Sequence, residues 1–300
     1  MSQPVIFGEV LFDCFPDGSS VLGGAPFNVA WHLQGFGMAP VLISRLGDDE
    51  RGQQVLQTMQ QWGMATDGIQ IDHDRPTGVV EVSLTDGQPQ FDIVDQVAYD
   101  FIEPDRSLLA LQNRRAPLLY HGSLAIRNPV SRSSLEILRQ QGWPGFVDVN
   151  LRPPWWDKAL LEQFLEQVQW IKLNDNELAL LTGCQADDID ALQQAALDWR
   201  RHFSVSGLVV TRGAHGALLV TGQDIHVGDP VPVQQLVDTV GAGDAFSAIV
   251  ILGLLKQWPP ELILPRALAF ASSICSVRGA TTTDRALYKG FIDSWEPGRG

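Results

Sequence analysis

Phe146-Val147-Asp148-Val149 is followed by a helical run at Leu160–Val168, then by Trp170-Ile171-Lys172-Leu173 and a second helical run at Asn176–Leu181. Short, nearly continuous apolar strands alternating with helices are what a largely parallel sheet, covered on both faces, requires. The rhythm extends outward in both directions. Toward the N-terminus lie the strand Leu118–His121 with the helix Ser131–Gln140, the strand Val41–Ser44 with the helix Gly52–Trp62, and the strand Val5–Phe7, ending at Gly8. Asn28–Phe36 has helical spacing, with Val29, Ala30 and Leu33 on one face. Toward the C-terminus come the strands Leu208–Thr211 and Ala217–Val220, then the helices Ala242–Leu255 and Leu262–Ser276. The rhythm breaks once. Thr77–Leu84 alternates as a half-buried strand, Asp86-Gly87 reads as a turn, and Phe91–Val94 returns. The pattern predicts an α/β fold: a mainly parallel central sheet flanked by helices, with a small antiparallel lid from about residues 11–26 and 76–98. No internal repeat, low-complexity tract or long linker divides residues 1–300, which read as one domain.

Bulk properties exclude several classes. The chain has 300 residues, enough for a substantial core, and its 45% hydrophobic and 19% charged residues argue against disorder or a collagen-like repeat. A formal net charge of −14 disfavours general attraction to nucleic acid or to an anionic membrane, although a local site can still take an anion. Cys14, Cys184 and Cys275 stand far apart, with no CxxC or zinc spacing, as expected of free thiols in a reducing compartment. The opening MSQPVIFGEVLFD lacks a basic region followed by a long apolar one, so a cytoplasmic location without a signal peptide is expected. The longest apolar run, Ala245–Leu255, includes Ser247 and Gly253. It is far shorter than the roughly 20 residues that span a bilayer, and reads as a buried helix.

The chemistry concentrates in Asp238-Thr239-Val240-Gly241-Ala242-Gly243-Asp244-Ala245-Phe246. Small residues let a phosphate approach the backbone, and a helix N-terminus offers unpaired N–H groups with partial positive charge. Gly241, Ala242 and Gly243 can thus supply donors to a transferring phosphoryl group. Asp244 can orient a hydroxyl and accept its proton. A glycine-rich turn with Asp244 as a plain cap is the other reading of this stretch. No GxxxxGK[ST] occurs, so this is not a Walker-type phosphate loop.

The segment DTVGAGDAF resembles the C-terminal signature of the PfkB, or ribokinase-like, carbohydrate kinases. Further resemblance lies in Gly8-Glu9-Val10-Leu11-Phe12-Asp13, in Gly23-Gly24-Ala25-Pro26-Phe27-Asn28-Val29-Ala30 and in Arg45-Leu46-Gly47-Asp48-Asp49-Glu50-Arg51-Gly52. It covers essentially the whole chain and implies the ribokinase-like fold and ATP-dependent phosphorylation of a sugar, with Asp244 as catalytic base. It also implies that Asp13 and Asn28, beside the Gly23-Gly24 backbone, bind sugar hydroxyls, a task suited to Asp and Asn. Asn174 and Glu177 resemble the family's N-x-x-E element, which helps hold Mg2+ near the phosphates, Glu177 acting through water. Thr211, Gly213 and Gly216 in Thr211-Arg212-Gly213-Ala214-His215-Gly216 resemble the nucleotide-side loop, although a hairpin between two strands explains the glycines equally well. His215 reads as an exposed loop residue. Ser272 in Ala271-Ser272-Ser273 is expected beside the adenine. Asp238 and Gly279, the latter in Arg278-Gly279-Ala280, match a monovalent-cation (K+) site found in many members. Relatives often dimerise through the lid, so a homodimer is implied there, with Thr77–Leu84 offering an edge.

Arg152, in Asp148-Val149-Asn150-Leu151-Arg152-Pro153-Pro154, follows a buried strand, where open α/β sheets place ligands. It can contact sugar or phosphate, or pair with Asp148. Trp155 and Trp156 read as packing residues. The GGAPFNVA and DVNLRPPWW wording is most similar to bacterial fructokinases. Tyr120-His121-Gly122-Ser123-Leu124 lacks the acid that ribokinases carry there, and is similar to fructokinases and 2-keto-3-deoxygluconate kinases. Three expectations follow: a fructokinase, a kinase of another sugar or sugar acid, or a catalytically silent sugar-binding regulator. If the small residues admit a phosphate, Gly243→Val is expected to lower kcat much more than it weakens sugar binding. Parallel turnover and sugar-titration measurements check this, and unchanged turnover in the folded variant counts against it.

Overall fold

The computed structural model describes residues 3–296 apart from 86, 87, 113, 115, 186 and 234. The expected Asp86-Gly87 turn lies outside the described residues. In chain order the strands are β1 (Val5–Phe7), β2 (Leu11–Cys14), β3 (Ser20–Gly23), β4 (Val41–Gly47), β5 (Ile69–Asp72), β6 (Gly78–Thr85), β7 (Gln88–Ile93), β8 (Leu119–His121), β9 (Gly145–Asp148), β10 (Trp170–Asn174), β11 (Gly207–Thr211), β12 (Ala217–Thr221) and β13 (Asp224–Gly228). The helices are α1 (Ala25–Gly35), α2 (Glu50–Trp62), α3 (Pro104–Ala110), α4 (Pro129–Arg139), α5 (Lys158–Leu165), α6 (Asp175–Thr182), α7 (Ile189–His202), α8 (Ala242–Leu255), α9 (Pro260–Ile274) and α10 (Arg285–Trp295).

The described residues form a nine-stranded sheet in the order β13-β12-β11-β10-β9-β8-β1-β4-β5. It is parallel from β11 to β5, and the hairpins to β12 and β13 add an antiparallel edge. Alternation along its apolar strands explains the two helical layers. Val5 and Phe7 of β1 pack with α4 and α5, whereas Ile6 packs with α1, α8 and α9. Likewise Leu208 and Val210 of β11 face α6 and α7, and Val209 faces the α8 side.

The second sheet has the order β3-β2-β6-β7. Its two hairpins are antiparallel, as expected, while β2 meets β6 in parallel because α1 to β5 intervene between them. The first lid segment ends earlier than residue 26. Gly24 caps α1 at φ 106°, and Pro26 suits the first helical turn, where its missing N–H costs nothing.

Helix α1 is held firmly. Trp31 stacks on Trp62 of α2 with centroids 5.0 Å apart. His32 Nε2 lies 3.0 Å from Ala280 O, and a carbonyl can only accept. That nitrogen therefore carries the proton, and Nδ1 accepts from the Tyr288 hydroxyl at 2.9 Å. Burial pushes the His32 pKa down to about 4, so the ring is neutral. Helices α3, α7 and α10 and the edge strands β5 and β13 escaped the sequence reading. Helix α7 buries only Leu192 and Ala196, and β5 and β13 mix polar with apolar residues, so neither carries a strong apolar run.

A Cβ on Gly24 would lie 2.7 Å from Glu9 O, at a φ that L-residues avoid. Gly24→Ala is expected to destabilise the fold by about 1–3 kcal/mol. Urea unfolding checks this, and an unchanged midpoint would show that the backbone relaxes freely.

Candidate active site

The parallel strands β1, β8, β9, β10 and β11 all end on one side of the large sheet, and the start of α8 reaches the same side. Gly241 caps α8 at φ 78°, and a Cβ there would lie 2.3 Å from Ala280 Cβ, so both conformation and space demand glycine. Ala242, Gly243 and Asp244 form the first turn. The Ala242 N–H already donates to Thr239 O, at a long 3.3 Å. Gly243 and Asp244 are therefore the first-turn amides without a helical acceptor.

Asn28 Nδ2 donates to Asp244 Oδ2 at 2.8 Å, linking α1 to α8. Asn28 lies inside α1 and its N–H donates to Gly24 O, so it is not a helix cap. Its Oδ1 is buried with no hydrogen-bond partner among the described residues. A Cβ on Gly23 would stand 4.0 Å from that oxygen and 3.8 Å from Asp13 Oδ2. Asp13, Gly23 and Asn28 thus converge on one small space beside Asp244. Burial pushes the Asp244 carboxyl up to about 6; Asp148 pushes the same way, while Asn28, Lys172 and Arg152 oppose. Burial also raises Asp13, against the pull of Arg152. Glu9, 3% exposed with Oε2 unpartnered, is raised to about 7, chiefly by burial.

Arg152 does not pair with Asp148. It is exposed and its Nη1 donates to Leu151 O at 3.3 Å, whereas Asp148 takes both Lys172 Nζ, at 3.1 and 2.9 Å, and Ser247 Oγ, at 3.0 Å. Asn174 and Glu177 form a reciprocal capping box on α6. Glu177 Oε2 accepts from Asn174 N and Oε1 from Leu151 N, each at 2.8 Å. Burial raises the Glu177 pKa. Each oxygen keeps a second lone pair, which fits a water-mediated link to a cation better than direct ligation. Among the described residues no group of three His, Cys, Asp or Glu is placed to hold a metal ion.

Further along the same side, Thr211 ends β11, and Gly213 and Gly216 shape the hairpin to β12, with Arg212 N donating to Gly216 O at 2.8 Å. His215 is exposed there. Ser272 on α9 donates to Pro232 O at 3.3 Å. Asp238 and Gly279 do meet: Asp238 Oδ2 accepts from Gly279 N at 3.1 Å and its Oδ1 from Val240 N at 3.0 Å. Trp155 packs under Arg127, whose guanidinium lies 4.5 Å from the ring, and Trp156 packs beside the β9–β11 core. Sequence reasoning missed Lys172, Ser247, Tyr120 and Glu9. A lysine within the apolar strand WIKLN was the available signal.

The model of the pfkB family of carbohydrate kinases matches residues 15–286. The chain belongs to this family. It is an ATP-dependent sugar phosphotransferase with a ribokinase-like fold. This kinase is 28% identical over 311 residues to fructokinase-1 of Zea mays, covering 97% of this chain and 93% of that protein. It is 32% identical over 276 residues to probable fructokinase-4 of Arabidopsis thaliana, covering 84% and 82%. Among solved structures, fructokinase of Vibrio cholerae O395, bound to fructose, ADP and calcium ion, superposes with TM-score 0.80 at 26% identity, covering 97% of this chain and 99% of that one. No described helix is long and apolar enough to cross a membrane.

If the carboxylate of Asp244 takes the proton, kcat/KM of the kinase is expected to fall about tenfold per pH unit below the group's raised pKa of about 6. The sign follows from the base being active only when ionised. Asp244→Asn is expected to lower kcat at least about 100-fold with substrate binding nearly intact. Steady-state rates across pH check both, and near-normal turnover in Asp244→Asn removes the residue from the mechanism.

Proposed function

We propose that this kinase transfers the γ-phosphoryl group of ATP to D-fructose, giving fructose 6-phosphate and ADP. The observation that carries the reading is the convergence of Asp13, Gly23 and Asn28 beside Asp244, reached through the Asn28–Asp244 hydrogen bond. Hydrogen-bond acceptors and donors of this kind suit a polyol, whose hydroxyls both donate and accept. The fructokinase names of the maize and Arabidopsis relatives support the same choice.

In this reading Asp13, Asn28 and the Gly23-Gly24 backbone hold the sugar, with Arg152 at the rim of the pocket. Asp244 orients the attacking hydroxyl and accepts its proton as the O–P bond forms. The amides of Gly243 and Asp244, with Gly241 and Ala242 shaping the turn, stabilise charge on the transferring group, and the bond to the ADP oxygen breaks. Thr211, Gly213, Gly216 and Ser272 line the nucleotide side. Asn174 and Glu177 would hold Mg2+ through water, and Mg2+ when bound would neutralise phosphate charge. Asp238 and the Gly279 region would hold K+. The β3-β2-β6-β7 sheet serves as a lid on the single kinase domain, and as the edge of a homodimer. Its closure excludes water and limits ATP hydrolysis.

One observation favours a second reading. Arg152 makes no ion pair among the described residues, so its guanidinium is free for the carboxylate of a sugar acid such as 2-keto-3-deoxygluconate. Against this, Asp13 and Glu9 lie within its field. Initial rates of ADP release with fructose, ribose, adenosine and 2-keto-3-deoxygluconate decide. Fructose is expected to give the highest kcat/KM, because a mismatched substrate leaves buried groups unpaired at about 1–3 kcal/mol each. A sugar acid ahead by tenfold overturns the substrate assignment while leaving the kinase chemistry intact. No response to any sugar favours a silent binding regulator.

A further inference from the structure

Lysine is unusual on a strand covered by helices on both faces. Lys172 stands at the middle of β10, 7% exposed, directly opposite Asp148 of β9 in the parallel register. Its neighbours Ile171 and Leu173 turn to the α6–α7 core, which leaves Lys172 on the face that α8 covers. Lys172 Nζ donates to both oxygens of Asp148. Ser247 Oγ, one turn into α8, lies 3.0 Å from Asp148 Oδ2 and 2.9 Å from Gly243 O, so its single proton is shared between them. A Cβ on Gly243 would stand 3.3 Å from Lys172 Nζ. One buried cation is thus tied through two side chains to the turn where α8 begins, and stands close beside Gly243.

Stability alone does not account for this arrangement, because a buried ion pair is often no better than well-packed apolar residues. The charge balance of the cleft supplies a reason. Asp244 is faced by Glu9 from the β1–β2 segment, by the Tyr120 hydroxyl from β8, by Asp148 from β9 and by Asn28 from α1; the cations facing it are Lys172 from β10 and Arg152 beyond β9. Lys172 also faces Glu177 of α6. An incoming polyphosphate adds further negative charge beside these acids.

We propose that Lys172 is a positioning residue for phosphoryl transfer: through Asp148 and Ser247 it fixes the first turn of α8, and its charge offsets the acids around Asp244. The inference rests on reading Asp244 as the base and the Gly243 turn as the phosphate site. Losing the cation leaves Asp148 uncompensated, which makes ionisation of Asp244 harder and loosens the amides beside it. The sugar contacts at Asp13 and Asn28 stay in place.

The test uses the full chain and the sugar that most stimulates ADP release, so a failure of the fructose assignment leaves it standing. Lys172→Met is expected to lower kcat at least about tenfold, the scale of losing a supporting contact, with the sugar KM changed less than about threefold. The acid limb of kcat/KM moves to higher pH, because a positive charge that favoured the Asp244 carboxylate has gone. Lys172→Arg keeps the limb where the unaltered protein has it. Removing one partner of a buried pair endangers folding, so the double variant Asp148→Asn/Lys172→Met, which removes both charges, is measured beside it after thermal unfolding confirms a cooperative fold. It is expected to stay at least about tenfold below the unaltered kcat. Full turnover in the double variant overturns the proposal, as does an acid limb that moves equally in the Met and Arg variants.

Discussion

Helix α8 is apolar on almost every side, from Ala245 to Gly253, so it must lie between the sheet and the helices α1 and α9. Its first turn emerges on the side where the parallel strands end. That one constraint sets the geometry of the cleft. The partial positive charge of the helix end and the unpaired amides of Gly243 and Asp244 are delivered to the strand ends, and Gly241 packs against Ala280 with no room for a side chain. Burial of the helix is also why its acid titrates high: Asp244 shares the low-polarity surroundings that hold the rest of α8 in place.

Around that turn the protein keeps ionisable groups that an apolar interior would otherwise reject. Their tolerance depends on pairing. Lys172 and Asp148 compensate each other across β9 and β10, Ser247 completes the acceptor set of Asp148, and Glu177 spends both oxygens on backbone amides. Asn28 Oδ1 and Glu9 Oε2 differ, each buried without a hydrogen-bond partner among the described residues. Buried polar atoms are nearly always hydrogen-bonded in folded proteins, so these two oxygens point to where a polar ligand belongs.

The two sides of the cleft are built on different supports. Asn28 rides on α1, whose position is set by the Trp31–Trp62 stack and by His32 bridging Ala280 and Tyr288. Asp13 rides on β2 of the small sheet, whose Phe12 packs into the same core as α1 and α8. Residues from two sheets and two helices thus meet at one cleft, with Asn28 and Asp244 on one wall and Asp13 on the other.

Sequence alone determined the parallel core, because buried strands need unbroken apolar runs, and Val5–Phe7 and Leu208–Val210 have them, with the largely apolar α8 to cover them. It also determined the GAGD turn, since glycine at a positive φ and an acid in a first helical turn are local requirements, legible without any distant partner. Surface helix α7 and the edge strands were not legible, because an element that buries few side chains carries only a weak periodic signal. The partners of the site residues were decided by tertiary structure. Nothing within either segment says that Asn28 donates to Asp244, 216 residues away, or that Asp148 takes Lys172 while Arg152 turns to Leu151 O. The pairing of Asp148 with Lys172 depends on strand register and on which face α8 covers, and both arise only when the whole chain has packed.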